Sequence, residues 1–128
     1  MAQPRLSIVI PAYNEAKRIG DTLIKIHAYL MKQSGLSEIV VVDDGSTDRT
    51  ADTVREHFPA VQVISYRPNR GKGHAVRTGM LAAKGEIRLF FDADSSTPIE
   101  ELDNVFPHIG NGADVVIGSA QRFGVPLG

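Results

Sequence analysis

Cysteine is absent from this chain, which excludes disulfide frameworks and thiolate chemistry and leaves the sequence compatible with a reducing compartment. Charge of one sign is not in excess either. With 14 Lys and Arg against 15 Asp and Glu, the formal net charge is −1, so nothing points to nucleic acid or an anionic membrane surface as a partner. No apolar run approaches the ~20 residues of a membrane span. The N-terminus carries one basic residue, Arg5, before a short apolar run that ends at Pro11, too short for the core of a secretory signal. Repeats and low-complexity stretches are missing as well. These absences make the cytoplasm the expected location. What remains is 42% apolar and 23% charged residues in a 128-residue chain, the composition of one globular domain (1–128) with one core.

Strand and helix patterns alternate from end to end. Leu6 to Ile10, Glu38 to Val42, Val61 to Ser65, Glu86 to Phe91 and Asp114 to Ile117 read as strands, rich in β-branched and aromatic residues. Ala16, Ile19, Leu23, Ile26 and Leu30 recur at helical spacing over Glu15 to Lys32, closed by Ser34-Gly35. A second helix carries Ala51, Val54 and Phe58, with Ser46 or Thr47 as its cap and Pro59 as its stop. A third, over Gly73 to Lys84, places Val76, Met80 and Ala83 on one face, with Gly85 at C′. Thr97-Pro-Ile-Glu100 has the form of a capping box, predicting a helix from Pro98 to about Phe106. Strands joined in turn by helices pair in parallel through right-handed crossovers. The expected fold class is therefore α/β, three layers, with a mostly parallel central sheet covered on both faces.

In such sheets ligands bind beyond the carboxyl ends of the strands. Here those ends are followed by Pro11-Ala-Tyr-Asn-Glu15, Asp43-Asp-Gly-Ser46, Arg67-Pro-Asn-Arg-Gly-Lys-Gly73 and Asp92-Ala-Asp94. Asp92 and Asp94 concentrate negative charge where a buried strand opens into a turn, a spot normally stabilised by a cation. Hard oxygen ligands at close spacing suit Mg²⁺ or Mn²⁺, whose shells are completed by substrate phosphate and water. A plain turn explains the pair alone, but four converging segments favour a metal–phosphate site. Asp43 and Asp44 repel unless each finds a partner. One can accept from the Gly45-Ser46 turn and the other from a base N–H, whereas a plain turn accounts for only one of them. Asn69-Arg-Gly-Lys-Gly-His74 sets cations and glycines before a helix, where backbone N–H groups and Lys72 favour phosphate. A solvated basic loop is the alternative, and Val76 breaks any dinucleotide-binding glycine pattern. His27, His57 and His108 read as surface or packing residues, and His74 as a capping or supporting group. Tyr13 can stack on a nucleobase or pack under its loop.

Ser7-Ile-Val-Ile-Pro-Ala-Tyr-Asn-Glu15, Val42-Asp-Asp-Gly-Ser-Thr-Asp48, Asn69-Arg-Gly-Lys-Gly73, Asp92-Ala-Asp94 and Val116-Ile-Gly-Ser119 together resemble the family 2 glycosyltransferases. The branch most similar makes polyprenyl- or dolichyl-phosphate sugars, which Pro98-Ile-Glu-Glu101 also resembles. The resemblance runs in order from residue 6 to about 119. It implies a GT-A, Rossmann-like fold, a UDP- or GDP-sugar donor and a divalent cation, Mg²⁺ or Mn²⁺. Carried over by position, Pro11, Ala12, Tyr13 and Glu15 would line the nucleoside pocket, with Asp43 beside it and Asp44 on the base. Lys72 and Gly73 would lie near the donor, and Asp92, Ala93 and Asp94 at the diphosphate, the two aspartates holding the metal. Ser95 and Ser96 depart from the larger residues often found there. Gly118-Ser-Ala-Gln-Arg122 displaces Arg122, a further donor-binding candidate, from its family position.

Family members also continue well past the length of this chain, with acceptor-side elements and often the catalytic base. The resemblance therefore implies a C-terminally truncated donor-binding portion that binds nucleotide without turning over alone. A lipid-phosphate acceptor such as polyprenyl or dolichyl phosphate is implied, and with it a position peripheral to the membrane face. An uncovered apolar sheet edge would favour self-association. Two other readings compete. One is a non-catalytic nucleotide-sugar-binding module, or a subunit whose acceptor site needs a partner. The other is a sugar-phosphate nucleotidyltransferase, which would open with a glycine-rich basic loop rather than Pro11-Ala-Tyr-Asn-Glu15. Neither sugar nor base is readable, because Asp44 can accept from uracil or guanine.

Overall fold

Ile8-Val9-Ile10 and Val40-Val41-Val42 offer β-branched side chains to both faces of a strand, and all six are fully buried. They form the centre of the sheet. The structure is a computed structural model that describes residues 4–33, 35–94, 96, 98–105, 115–117 and 122–123. In chain order the elements are β1 (Leu6–Ala12), α1 (Ile19–Met31), β2 (Ser37–Asp44), α2 (Thr50–His57), β3 (Gln62–Tyr66), α3 (Lys72–Ala82) and β4 (Ile87–Phe90). A 3₁₀ turn (Ile99–Glu101) then runs into α4 (Leu102–Val105), followed by β5 (Val115–Ile117) and β6 (Arg122–Phe123).

The strands lie in the order β3-β2-β1-β4-β5-β6. Every pairing is parallel except the last, in which β6 runs antiparallel to β5. The chain moves outward from β1 through β2 to β3, then returns to the other side of β1 as β4. The order thus reverses between β1 and β4, and crevices at such reversals are where open α/β sheets bind ligands.

Two cores flank the sheet. On one face Ile8, Ile10, Val41 and Leu89 pack with Ile19, Leu23 and Ile26 of α1, Val54 of α2, and Ile99 and Leu102. On the other, Val9, Val42 and Phe90 pack with Ala75, Met80 and Ala83 around α3. Each fully buried aliphatic side chain contributes about 1.5–3 kcal/mol relative to an exposed one. The approach of α3 is close enough that a Cβ at Gly79 would lie 2.3 Å from Val9 Cγ1.

The three-layer α/β arrangement is the one expected, and the differences lie at element ends. α1 starts at Ile19 rather than Glu15, because Glu15 and Ala16 donate their N–H groups to Thr50 Oγ1 (3.0 Å) and Asp48 Oδ2 (3.2 Å). Ser46 and Thr47 do not cap α2, which begins at Thr50. Gly85 is not the C′ residue of α3: Ala83 ends that helix in extended conformation, and Gly85 N donates to Ser7 Oγ at 2.8 Å. Pro98 precedes the 3₁₀ turn instead of opening an α-helix. β6 has no counterpart among the expected strands. Ser34, Ser95, Thr97, Phe106, His108, Asp114 and the segment from Gly118 to Gln121 lie outside the described residues.

Candidate functional site

The first wall of the site is the segment that leaves β1. Asn14 adopts φ +53, a conformation its short amide side chain tolerates. Its N–H donates to Ser46 Oγ at 2.9 Å, while its Oδ1 accepts from Thr47 N at 2.8 Å and Asp48 N at 3.3 Å. Together with the Glu15 and Ala16 bonds, these contacts clamp residues 14–16 onto residues 46–50. Tyr13 is left at the rim, 46% exposed, with its ring available to a ligand. Glu15 turns inward, its Oε1 accepting from Arg18 Nη2 at 2.8 Å and its Oε2 paired with Arg18 Nε at 2.7 Å.

Asp48 supports this clamp and has a perturbed acidity. Burial pushes its carboxyl up, but hydrogen bonds from the Thr50 hydroxyl and from the Ala16 and Thr50 backbones outweigh that and hold it below the ordinary 3.8. A carboxyl depressed in the fold adds stability above its unfolded pKa, and that stability is lost as pH falls through the folded value. In thermal unfolding, the margin of wild type over Asp48→Asn should be full at neutral pH and shrink below about pH 4. A margin that grew on acidification would contradict this account.

At the end of β2 the two aspartates divide between opposite faces of the strand. Asp43 accepts from Ser46 N at 3.0 Å and Ser65 Oγ at 3.1 Å. Asp44, 3% exposed, accepts four bonds. Its Oδ1 takes the Tyr66 hydroxyl (2.5 Å) and Arg70 N (3.0 Å), and its Oδ2 takes Asn69 Nδ2 (3.0 Å) and Gly71 N (2.9 Å). A carboxylate has about four lone-pair sites, so the chain itself fills them. A base N–H on Asp44 would have to replace one of these donors, and the Asn69 amide, on an exposed side chain, is the replaceable one. The Tyr66 hydroxyl is pushed well above its ordinary pKa by burial and by its bond to Asp44, so it remains a donor. His74 meets the Tyr66 ring edge-on at 5.2 Å, a supporting contact.

The opposite wall is the turn after β4. Ala93 is buried between the two aspartates, and its carbonyl accepts from the buried Thr22 hydroxyl of α1 at 2.6 Å. Asp92 Oδ1 lies 2.5 Å from Lys72 Nζ, at the start of α3. Asp94 Oδ1 accepts from Ser96 N at 3.0 Å, and that bond holds its carboxyl below the usual carboxylate range.

These walls enclose a cleft of about 180 Å³ at the reversal point between β1 and β4. It is lined by Pro11, Ala12, Tyr13, Glu15, Asp44, Lys72, Ala75, Asp92, Ala93 and Asp94. All but Ala75 are residues that the sequence pointed to. Asp43 and Gly73 are outside its lining, while Arg122 is described only through its backbone in β6. Among the described residues no group of three or more His, Cys, Asp or Glu gathers to hold a metal ion. Asp92 and Asp94 offer two carboxylates, which would suit a hard cation that takes its remaining ligands from phosphate and water. A second cleft of about 290 Å³ shares Asp92 and lies between α1 and the 3₁₀ turn, bordered by Thr22, Lys25, Ile26, Phe91 and Pro98 to Glu100. Among the described residues no helix is long and apolar enough to cross a membrane.

The sequence profile of glycosyl transferase family 2 matches residues 7–127. The chain belongs to this family. The family 2 chain is 37% identical over 126 residues to a dolichyl-phosphate beta-glucosyltransferase of Trichomonas vaginalis, covering 88% of this chain and 37% of that protein. The human dolichyl-phosphate beta-glucosyltransferase is 35% identical over 111 residues, covering 79% of this chain and 34% of the human protein. Across such curated relatives the chain spans about a third of their length. Among solved structures, the mannosyltransferase PcManGT of Pyrobaculum calidifontis, in complex with GDP-Man and Mn²⁺, superposes with a TM-score of 0.64 at 36% identity, over 79% of this chain and 30% of that one. The glucosyl-3-phosphoglycerate synthase of Mycobacterium tuberculosis, in complex with Mn²⁺, UDP and glucosyl-3-phosphoglycerate, gives 0.58 at 30% identity, over 70% and 33%.

Proposed function

We propose that this family 2 chain is the donor-binding part of a glycosyltransferase, holding a nucleoside-diphosphate sugar and a divalent cation in the cleft between β1 and β4. The observation that carries this reading is the joining of Asp92, Asp94 and Lys72 to the Pro11–Glu15 segment in one lining at the reversal of strand order. Tyr13 offers a ring for the base, and Asp44 shapes the segment beneath it. Lys72 meets the diphosphate, with Asp92 and Asp94 as the ligands for Mg²⁺ or Mn²⁺. When bound, such a cation supplies Lewis-acid stabilisation of the departing nucleoside diphosphate. The acceptor is a lipid phosphate of the polyprenyl or dolichyl class, as the names of the relatives support, and the protein works at a membrane face. A second reading is a donor-binding module whose acceptor site comes from a partner.

Calorimetric titration with UDP and GDP, with and without Mn²⁺, tests the donor site. Asp94→Asn should weaken Mn²⁺-dependent nucleotide binding by about 1–3 kcal/mol, the loss of a charge-assisted partner, and leave folding nearly unchanged. Unchanged affinity in Mn²⁺ would remove Asp94 from the site. Assay of sugar transfer to a polyprenyl phosphate then separates the two readings: transfer by the chain alone would rule out the module.

A further inference from the structure

Lys72 occupies an unusual position for a residue at a phosphate site. Its Nζ sits 2.5 Å from Asp92 Oδ1 and 5.7 Å from the centroid of the Phe90 ring, so the ammonium is directed to the end of β4. The contact is half in water, with side-chain exposures of 55% for Lys72 and 23% for Asp92. Ion pairs of that kind are weakly held and readily exchanged. The other Asp92 oxygen accepts from the Ser96 hydroxyl at 3.4 Å. Asp94, which accepts from the Ser96 backbone and feels the positive charge of Arg18, has no cation within ion-pair distance among the described residues. Among the described residues Lys72 is thus the positive group in direct ionic contact with the acidic turn.

We propose that Lys72 is an internal counter-ion for Asp92 that must be displaced when a divalent cation binds, which makes cation and nucleoside diphosphate depend on one another. This rests on the donor-site reading above. The cation and the ammonium compete for the same carboxylate oxygen, since each places positive charge there. A diphosphate resolves the competition by supplying fresh negative charge to the displaced ammonium, within the cleft that Lys72 and Asp92 both line. The cation alone therefore binds poorly, and the diphosphate raises its affinity. By linkage the cation raises the affinity for the diphosphate by the same factor. The role assigned to Lys72 is positioning and exchange of charge, with no bond made or broken.

The test measures free Mn²⁺ by electron paramagnetic resonance with the purified chain, in the absence and presence of UDP or GDP. Lys72→Met should bind Mn²⁺ alone about ten-fold more tightly than wild type, and the nucleotide should then enhance Mn²⁺ binding by a correspondingly smaller factor. Lys72→Gln should behave as Lys72→Met, and Lys72→Arg should restore the wild-type pattern. Equal or weaker Mn²⁺ binding by both neutral variants, with nucleotide binding by wild type intact, would overturn the exchange role and leave the donor site standing. Absence of Mn²⁺ binding by every protein, even with nucleotide, would overturn both. Thermal unfolding of each variant confirms that folded protein is compared.

Discussion

Asp44→Ala should lose about 3 kcal/mol or more of stability in urea denaturation, because it strips a buried acceptor from four donors at once. The Tyr66 hydroxyl, the Asn69 amide and the N–H groups of Arg70 and Gly71 would all lose their partner. Nucleotide affinity should fall with it, since Lys72 follows directly on the segment that Asp44 holds. Asp44→Asn should fall between, keeping one accepting oxygen and turning an NH₂ group toward donors. Asp43→Ala removes only the Ser46 and Ser65 bonds and should cost less. This ordering revises the expectation that Asp44 mainly reads a base while Asp43 mainly stabilises the turn. An Asp44→Ala chain as stable as Asp43→Ala would refute it.

Gly45→Ala should be nearly as damaging, by a different route. Gly45 has φ +73, and a Cβ there would stand 2.4 Å from Asn69 N and 2.8 Å from both Asn69 Cα and Pro68 C. These are backbone atoms, with no flexible side chain to yield. Left-handed strain and the clash together predict a loss of about 2–4 kcal/mol. The displaced Asn69–Gly71 segment should also weaken UDP or GDP binding, read by the same titration used for Asp94→Asn. A variant within about 0.5 kcal/mol of wild type would show that the two segments part freely.

The architecture was legible because strands buried on both faces leave unbroken β-branched runs, such as Val40-Val41-Val42, and helices leave a 3.6-residue period. The lining of the candidate cleft was legible for a related reason: polar residues directly after such runs have one destination in a parallel sheet, its carboxyl edge. The groups that hold those residues in place were not legible. Thr22 looks like an ordinary helix residue until its hydroxyl is seen on the Ala93 carbonyl, 71 positions away. Tyr66 ends a strand with no local sign that it serves Asp44. The start of α1 was misplaced because Asp48 and Thr50 capture N–H groups some 30 residues earlier, which no local period records. Two-residue β6 is too short to leave a pattern.

The central place of β1 has a consequence for synthesis. During synthesis β1 pairs with β2 on one side early, but its other side waits for β4, about 80 residues later in the chain. Until then a nascent half-sheet presents Leu6 to Val9 along an open edge, the kind of surface that chaperones cover. The wall carrying Asp92 and Asp94 is added last, so a nascent chain can build its Asn14 clamp well before it has any place for a divalent ion.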